Sequence, residues 1–147
     1  MANFHGKPAG FDILEVSLHN QASQIPLAHE ALDQFASRQG LPGNFVTRLH
    51  VALEEHLTNI ISYGYEAGKA GHITIRFALE SSVLRIEIAD DARPFNPLEA
   101  PEVDTTLPLE NKPLGGLGLL MIRKSADELQ YSRVNGQNVL TIKKRIE

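Results

Sequence analysis

The chain has 147 residues and a mass of 16.2 kDa, enough to bury one core as a single domain over residues 1–147. Hydrophobic residues make up 42% and charged residues 22%, and no apolar run approaches the ~20 residues of a membrane helix, which excludes disorder and membrane spanning for the bulk of the chain. Fourteen basic against eighteen acidic residues leave a formal charge of -4 and no basic field for nucleic acid, while the lack of cysteine excludes disulfides, thiolate metal sites and a Cys nucleophile.

Residues 1–16 hold no basic region followed by an apolar signal core, so a cytoplasmic location is expected. No repeat or low-complexity tract interrupts the chain. Apolar residues from Phe11 to Leu18 predict a first strand. Ile25, Ala28, Leu32, Phe35 and Ala36 recur at helical spacing over residues 24–38, with Ser23 as the expected N-cap and Gly40 as the stop. A second helix is predicted over residues 44–61 from Val46, Leu49, Leu53, Leu57 and Ile60, with Asn44 near its cap. Residues 72–79 and 83–89 alternate as a hairpin. Residues 96–114 then carry four prolines and five charges and are expected to form a long, lid-like loop. A third helix should run from about Gly116 to Ala126, followed by a second hairpin turning at Asn135-Gly136. The order predicts a two-layer α/β (α+β) sandwich, with a mixed, mostly antiparallel sheet and helices on one face.

Two patterns promise chemistry that their details withhold. Gly64 to Ala70 has three residues between its glycines where a phosphate-binding Walker loop needs four, and Ala70 cannot ligate magnesium. Gly116-Leu-Gly118 opens like a dinucleotide fingerprint, but Met121 stands at the third glycine and no parallel βαβ unit surrounds it. His50 and His56 are six apart, hence on different sides of a helix, and read as surface or packing residues.

The informative pair is Glu55 and Asn59. Four apart on the second helix, they share one face. At ~100° per residue that face lies away from the apolar stripe, so water or a ligand is expected to meet it. Asp90-Asp91-Ala92-Arg93-Pro94-Phe95 follows an apolar strand as an acidic turn, and Gly115, Gly116 and Gly118 bring backbone N–H groups to a helix start, a place suited to an anion.

In this order the motifs resemble those of the GHKL ATPase superfamily. Glu55-His-Leu-Thr-Asn59 looks like its N box, residues 90–97 like its G1 box and Gly116-Leu117-Gly118 like its G2 box; the likeness runs from about Ile25 to Arg145 and is strongest to bacterial anti-sigma-factor serine kinases. The resemblance implies the GHKL (Bergerat) ATP-binding fold, with ATP and Mg²⁺ as cofactors. It implies Asn59 as the Mg²⁺ ligand, Glu55 as the base for a substrate serine, Asp90 as acceptor for the adenine amino group with Ala92 and Pro94 beside it, and Gly115, Gly116, Leu117 and Gly118 around the phosphates. Arg93, Lys112 and Arg123 are the cations near the lid. Expected partners are a sigma factor, an anti-sigma antagonist of STAS-like type and a second copy in a homodimer.

Ala92 and Pro94 occupy positions where the wider superfamily carries glycine. A left-handed backbone at 92 would cost an alanine about 1 kcal/mol. Two functions follow from these features: a serine kinase, favoured by Glu55, and a non-catalytic, protein-binding regulatory module with a weak or degenerate nucleotide pocket, favoured by Ala92.

Overall fold

The structure, a computed structural model, describes residues 11–99 and 117–146. Strand β1 (Phe11–His19) leads through a short 3-10 turn (Ala22–Gln24) into helices α1 (Ile25–Gln39) and α2 (Gly43–Tyr63). Strands β2 (His72–Glu80) and β3 (Val83–Asp90) precede a second 3-10 turn (Pro97–Glu99); helix α3 (Leu117–Ser125) and strands β4 (Glu128–Val134) and β5 (Gln137–Arg145) complete the order. The five strands form one sheet in the order β1-β2-β3-β5-β4. Every pairing is antiparallel, so the expected mixed character is corrected. The chain leaves β3 and comes back along β4 at the far edge, which lets β5 insert antiparallel beside β3.

Alternation decides which sheet face meets the helices. Ile73, Ile75 and Phe77 of β2, Leu84, Ile86 and Ile88 of β3, and Leu140 and Ile142 of β5 point inward and are almost wholly buried. Each such side chain contributes about 1.5–3 kcal/mol through removal from water. The helices bring Leu32 and Phe35 from α1, Leu49, Leu53 and Leu57 from α2, and Ile122 from α3. The Phe35 and Phe77 rings, with centroids 5.8 Å apart, seat α1 on β2.

Turn chemistry sets the register. Ser81 and Ser82 (φ 51° and 68°) close the first hairpin, and Asn135 and Gly136 (φ 52° and 78°) close the second; positive φ at both central residues is the two-residue turn that matches strand twist. Gly40 adopts the left-handed conformation that ends α1. The expected caps do differ: Ser23 lies within the 3-10 turn, α1 begins at Ile25 with Pro26 in its first turn, and α2 starts one residue before Asn44, behind Pro42. Neither helix carries a side-chain cap, since the preceding turn and proline already direct the chain.

Helices α1 and α2 are tied by a crossed polar chain. His29 of α1 bonds Glu54 of α2 (2.8 Å), His50 of α2 bonds Asp33 of α1 (2.7 Å), and the two Nδ1 atoms meet at 2.7 Å. His50 thus joins two helices at the surface. His56, by contrast, is buried in the core, so the packing reading of that residue holds.

Candidate functional site

Helix α2 and the ends of β3 and β5 enclose a cavity of about 260 Å³. Asn59, Ile60 and Tyr63 form its helical wall, Asp90 and Asn138 its floor, and Ala92, Pro94 and Phe95 part of its rim. Four of the expected site residues, Asn59, Asp90, Ala92 and Pro94, therefore converge on one space.

Strand phase places the floor. Asp90 follows Leu84, Ile86 and Ile88 at a spacing of two, which puts its side chain on the buried sheet face, and it is 2% exposed. Its neighbour Asp91 faces the other way and does structural work: Asp91 Oδ1 accepts from Tyr65 Oη (2.7 Å) and from the His72 N–H (2.9 Å). Burial pushes the Asp90 carboxyl up, opposed by hydrogen bonds from Asn138 and from the Ala92 N–H. Both of those donors reach Oδ1, at 2.8 and 3.0 Å. Among the described residues no donor reaches Oδ2.

Ala92 is not strained. Its φ is absent from the positive values, which among non-glycine residues occur only at Ser81, Ser82 and Asn135 of the described residues. The expected penalty of about 1 kcal/mol therefore does not arise. Space is made instead on the facing segment: a Cβ at Gly64 would lie 2.6 Å from the Ala92 Cβ and 2.6 Å from the Ile60 carbonyl oxygen. The Arg93 N–H donates to the Gly64 carbonyl (3.0 Å), tying the acidic turn to the end of α2.

Glu55 stands one turn before Asn59, half-buried, and its Oε1 accepts from the Gly118 N–H at the start of α3. The face shared by Glu55 and Asn59 is therefore flanked by α3 and the cavity rather than by bulk water. Ala52 and His56 are buried beside the apolar stripe and widen the packed surface of α2. The Gly118 N–H, expected to hold phosphate, is engaged by Glu55. Gly118 is also the closest fit in the site: an added Cβ would meet the Glu55 carboxylate and lie 3.0 Å from the Ala52 Cα.

Gly115, Gly116, Lys112 and the expected lid beyond residue 99 lie outside the described residues, as does the Leu117 side chain. Arg93 lines the cavity rim, whereas Arg123 is an exposed residue of α3. Sequence reasoning gave no site role to six lining residues: His56, Ile60, Tyr63, Gly64, Phe95 and Asn138. Asn138 and His56 were legible in principle, as polar residues in phase with buried apolar ones.

The cavity suits a flat heterocycle bearing an amino group. Its walls are largely apolar, and its floor offers one uncommitted carboxylate oxygen. For a metal, the amide oxygen of Asn59 suits a hard cation, while among the described residues no three His, Cys, Asp or Glu side chains converge. No helix of the described residues is long and apolar enough to cross a membrane.

Comparison with known proteins identifies the family. The family model for the histidine kinase-like ATPase domain matches residues 18–144. Serine-protein kinase RsbW of Bacillus mycoides (strain KBAB4) is 28% identical over 137 residues, covering 90% of this chain and 85% of that protein. The protein of the same name from Bacillus cereus (strain ATCC 10987 / NRS 248) is 29% identical with the same coverage. A solved structure of the RsbU and RsbW domains of Rv1364c from Mycobacterium tuberculosis superposes with a TM-score of 0.62 at 16% identity, covering 91% of this chain and 32% of that one, a likeness of fold. This chain spans about a third of that longer protein. A family model that matches residues 18–144, well over half of the chain, places it in the histidine kinase-like ATPase family.

Proposed function

We propose that this protein is an ATP-dependent protein serine kinase and anti-sigma factor, which sequesters a sigma factor and phosphorylates a serine of a STAS-like antagonist. The observation that carries the reading is the cavity in which Asp90 and Asn59 meet, with Glu55 one helical turn away. The names and coverage of the relatives support the choice of a serine hydroxyl as acceptor.

Each residue has a role that its chemistry supports. Asp90 accepts a hydrogen bond from the adenine amino group at the cavity floor. Asn59 would hold Mg²⁺ through its amide oxygen, and the ion would neutralise phosphate charge; among the described residues no cluster of His, Cys, Asp or Glu offers a competing metal site. Bound Mg-ATP supplies the γ-phosphoryl group. Glu55 takes the proton of the attacking serine hydroxyl as the phosphate ester forms and ADP departs. Because Glu55 also accepts from the Gly118 N–H, the base is tied to the first turn of α3, next to the glycine loop expected to hold the phosphates. One contact thus links the phosphate end of the site to the proton acceptor. A second copy of the chain, in a homodimer, is the remaining proposed partner.

Calorimetry with Mg-ATP tests the pocket first. Wild type is expected to bind, and Asn59→Ala to lose the Mg²⁺-dependent part. Absence of any heat with wild type at millimolar nucleotide would remove the ATP reading. Binding of Mg-ATP with no phosphoserine formed on the antagonist would leave the non-catalytic regulatory module.

A further inference from the structure

Asn138 sits directly opposite Asp90 in the β3–β5 ladder. It is a buried polar residue, 6% exposed, and it is in phase with the core residues Leu140 and Ile142. Its amide makes four hydrogen bonds. Nδ2 donates to Asp90 Oδ1 (2.8 Å) and to the Arg93 carbonyl (2.9 Å). Oδ1 accepts from the Phe95 N–H (3.1 Å) and from Tyr131 Oη (2.6 Å). A backbone N–H can only donate and a backbone carbonyl can only accept, so the Phe95 and Arg93 contacts fix which end of the amide is oxygen.

A primary amide has two N–H donors and an oxygen with two lone pairs, and all four are committed here. Asn138 therefore has no capacity left to read a ligand itself. Its effect must pass through its partners. With Asn138 and the Ala92 N–H both on Oδ1, the Asp90 carboxylate is held in one rotation, and Oδ2 is its remaining acceptor toward the cavity. The same amide also grips the turn from both sides, through the Arg93 carbonyl and the Phe95 N–H. Arg133 of β4 adds a bond to the Ala92 carbonyl (2.9 Å). The turn that carries no glycine at 92 or 94 is thus held in place from the β4–β5 hairpin.

We propose that Asn138 is a positioning residue for nucleobase selection: by saturating Asp90 Oδ1 and clamping residues 90–95, it makes Asp90 present a single fixed acceptor, and so favours a 6-amino purine over a 6-keto purine. The proposal rests on the nucleotide reading given above. A 6-amino group donates to Oδ2, whereas a 6-keto oxygen would face a carboxylate with nothing to donate. A carboxylate free to rotate, or drawn out of line with a displaced turn, loses that distinction.

The test compares Mg-ATP and Mg-ITP binding by calorimetry in wild type, Asn138→Ala and Tyr131→Phe, with thermal unfolding as a check that each variant is folded. Wild type should bind ATP more tightly than ITP. Asn138→Ala should lose about tenfold in ATP affinity, the order expected when a hydrogen bond to a charged group is misaligned, with ITP affinity nearly unchanged, so that the ATP:ITP ratio collapses. Tyr131→Phe removes one of the two donors to Asn138 Oδ1 while leaving the strand intact, and should lower the ratio in the same direction by a smaller factor. If Asn138→Ala weakens ATP and ITP by equal factors, or if a folded Tyr131→Phe and a folded Asn138→Ala both keep the wild-type ratio, the proposal is overturned while the ATP-binding reading stands. Wild type that binds neither nucleotide would instead overturn the reading on which the proposal rests.

Discussion

Substituting Gly118 by alanine probes the seam between the base and the phosphate-side helix. Gly118 is the second residue of α3, where alanine would ordinarily be the better helix former by up to about 1 kcal/mol. The contact geometry opposes that gain. The new methyl would run into the Glu55 carboxylate and sit 3.0 Å from the Ala52 Cα, and the second of these is backbone that can yield only if α2 and α3 move apart. Overpacking of this kind costs about 1–3 kcal/mol, and displacement of the carboxylate weakens its charge-assisted bond to the Gly118 N–H, worth about 1.5–3 kcal/mol. The steric and polar losses exceed the propensity gain. A net loss of about 2 kcal/mol is expected, read as a fall in Tm of about 4–8 °C for a chain of this size. Urea unfolding of wild type, Gly118→Ala, Glu55→Ala and the double variant would separate the two contributions, because the double variant no longer has a carboxylate in the way and should show a favourable coupling of at least about 0.5 kcal/mol. A Gly118→Ala protein as stable as wild type, or more so, would show that α3 does not seat against Ala52 and Glu55.

His56 should give stability a pH dependence of its own. Burial holds its folded-state pKa down at about 4, against an ordinary 6.5. Between those values the unfolded chain binds the extra proton, so His56 leaves stability intact above pH 6.5 and costs progressively more as pH falls toward 4, about 2 kcal/mol by pH 5. Chemical denaturation at pH 7.5 and 5 should show that loss in wild type and a flatter dependence in His56→Gln; equal slopes would place the titrating group elsewhere. Gly64→Ala should destabilise by about 1–3 kcal/mol, since its Cβ would lie 2.6 Å from both the Ala92 Cβ and the Ile60 carbonyl oxygen. Adding Ala92→Gly should recover part of that loss, and a double variant no more stable than Gly64→Ala would mean that the two residues do not compete for the same space.

Where a local rule dominates, the sequence is easily read. Alternation in β2 and β3 assigns both the hairpin and its buried face, and Asn135-Gly136 names a two-residue turn whose φ values then follow. Gly40 marks a helix end for the same conformational reason. The N-termini of α1 and α2 were harder, because Ser23 and Asn44 have capping side chains whereas the chain enters each helix through a 3-10 turn or a proline. At the site, Asn59, Asp90, Ala92 and Pro94 could be gathered from motif order; Asn138 joins them only because β5 lies beside β3, which no local pattern encodes. Asn138 was overlooked for that reason. Its signal is a polar residue two positions before Leu140 and four before Ile142, on the inward phase of a strand, where only a partner across the sheet could satisfy it. Asp90 carries the same signal on β3, and His56 its helical equivalent between Leu53 and Ile60. The Glu55 and Asn59 face was expected to meet water or a ligand, and Asn59 does line the cavity; the contact of Glu55 with α3 was not foreseen, because the stripe counted only large apolar residues, while small Ala52 lets α3 approach close enough for Gly118 to reach Glu55.

Phosphoserine formation on the antagonist, followed by mass spectrometry with Mg-ATP, tests the proposed kinase most directly when wild type is run beside Glu55→Gln. The substitution keeps size and polarity and removes basicity, so Mg-ATP binding should persist while the rate of serine phosphorylation falls by about 10²-fold or more. A Glu55→Gln protein that binds Mg-ATP and phosphorylates as fast as wild type would contradict the role given to this carboxylate, and wild type that binds Mg-ATP yet leaves the serine unmodified would contradict the kinase itself.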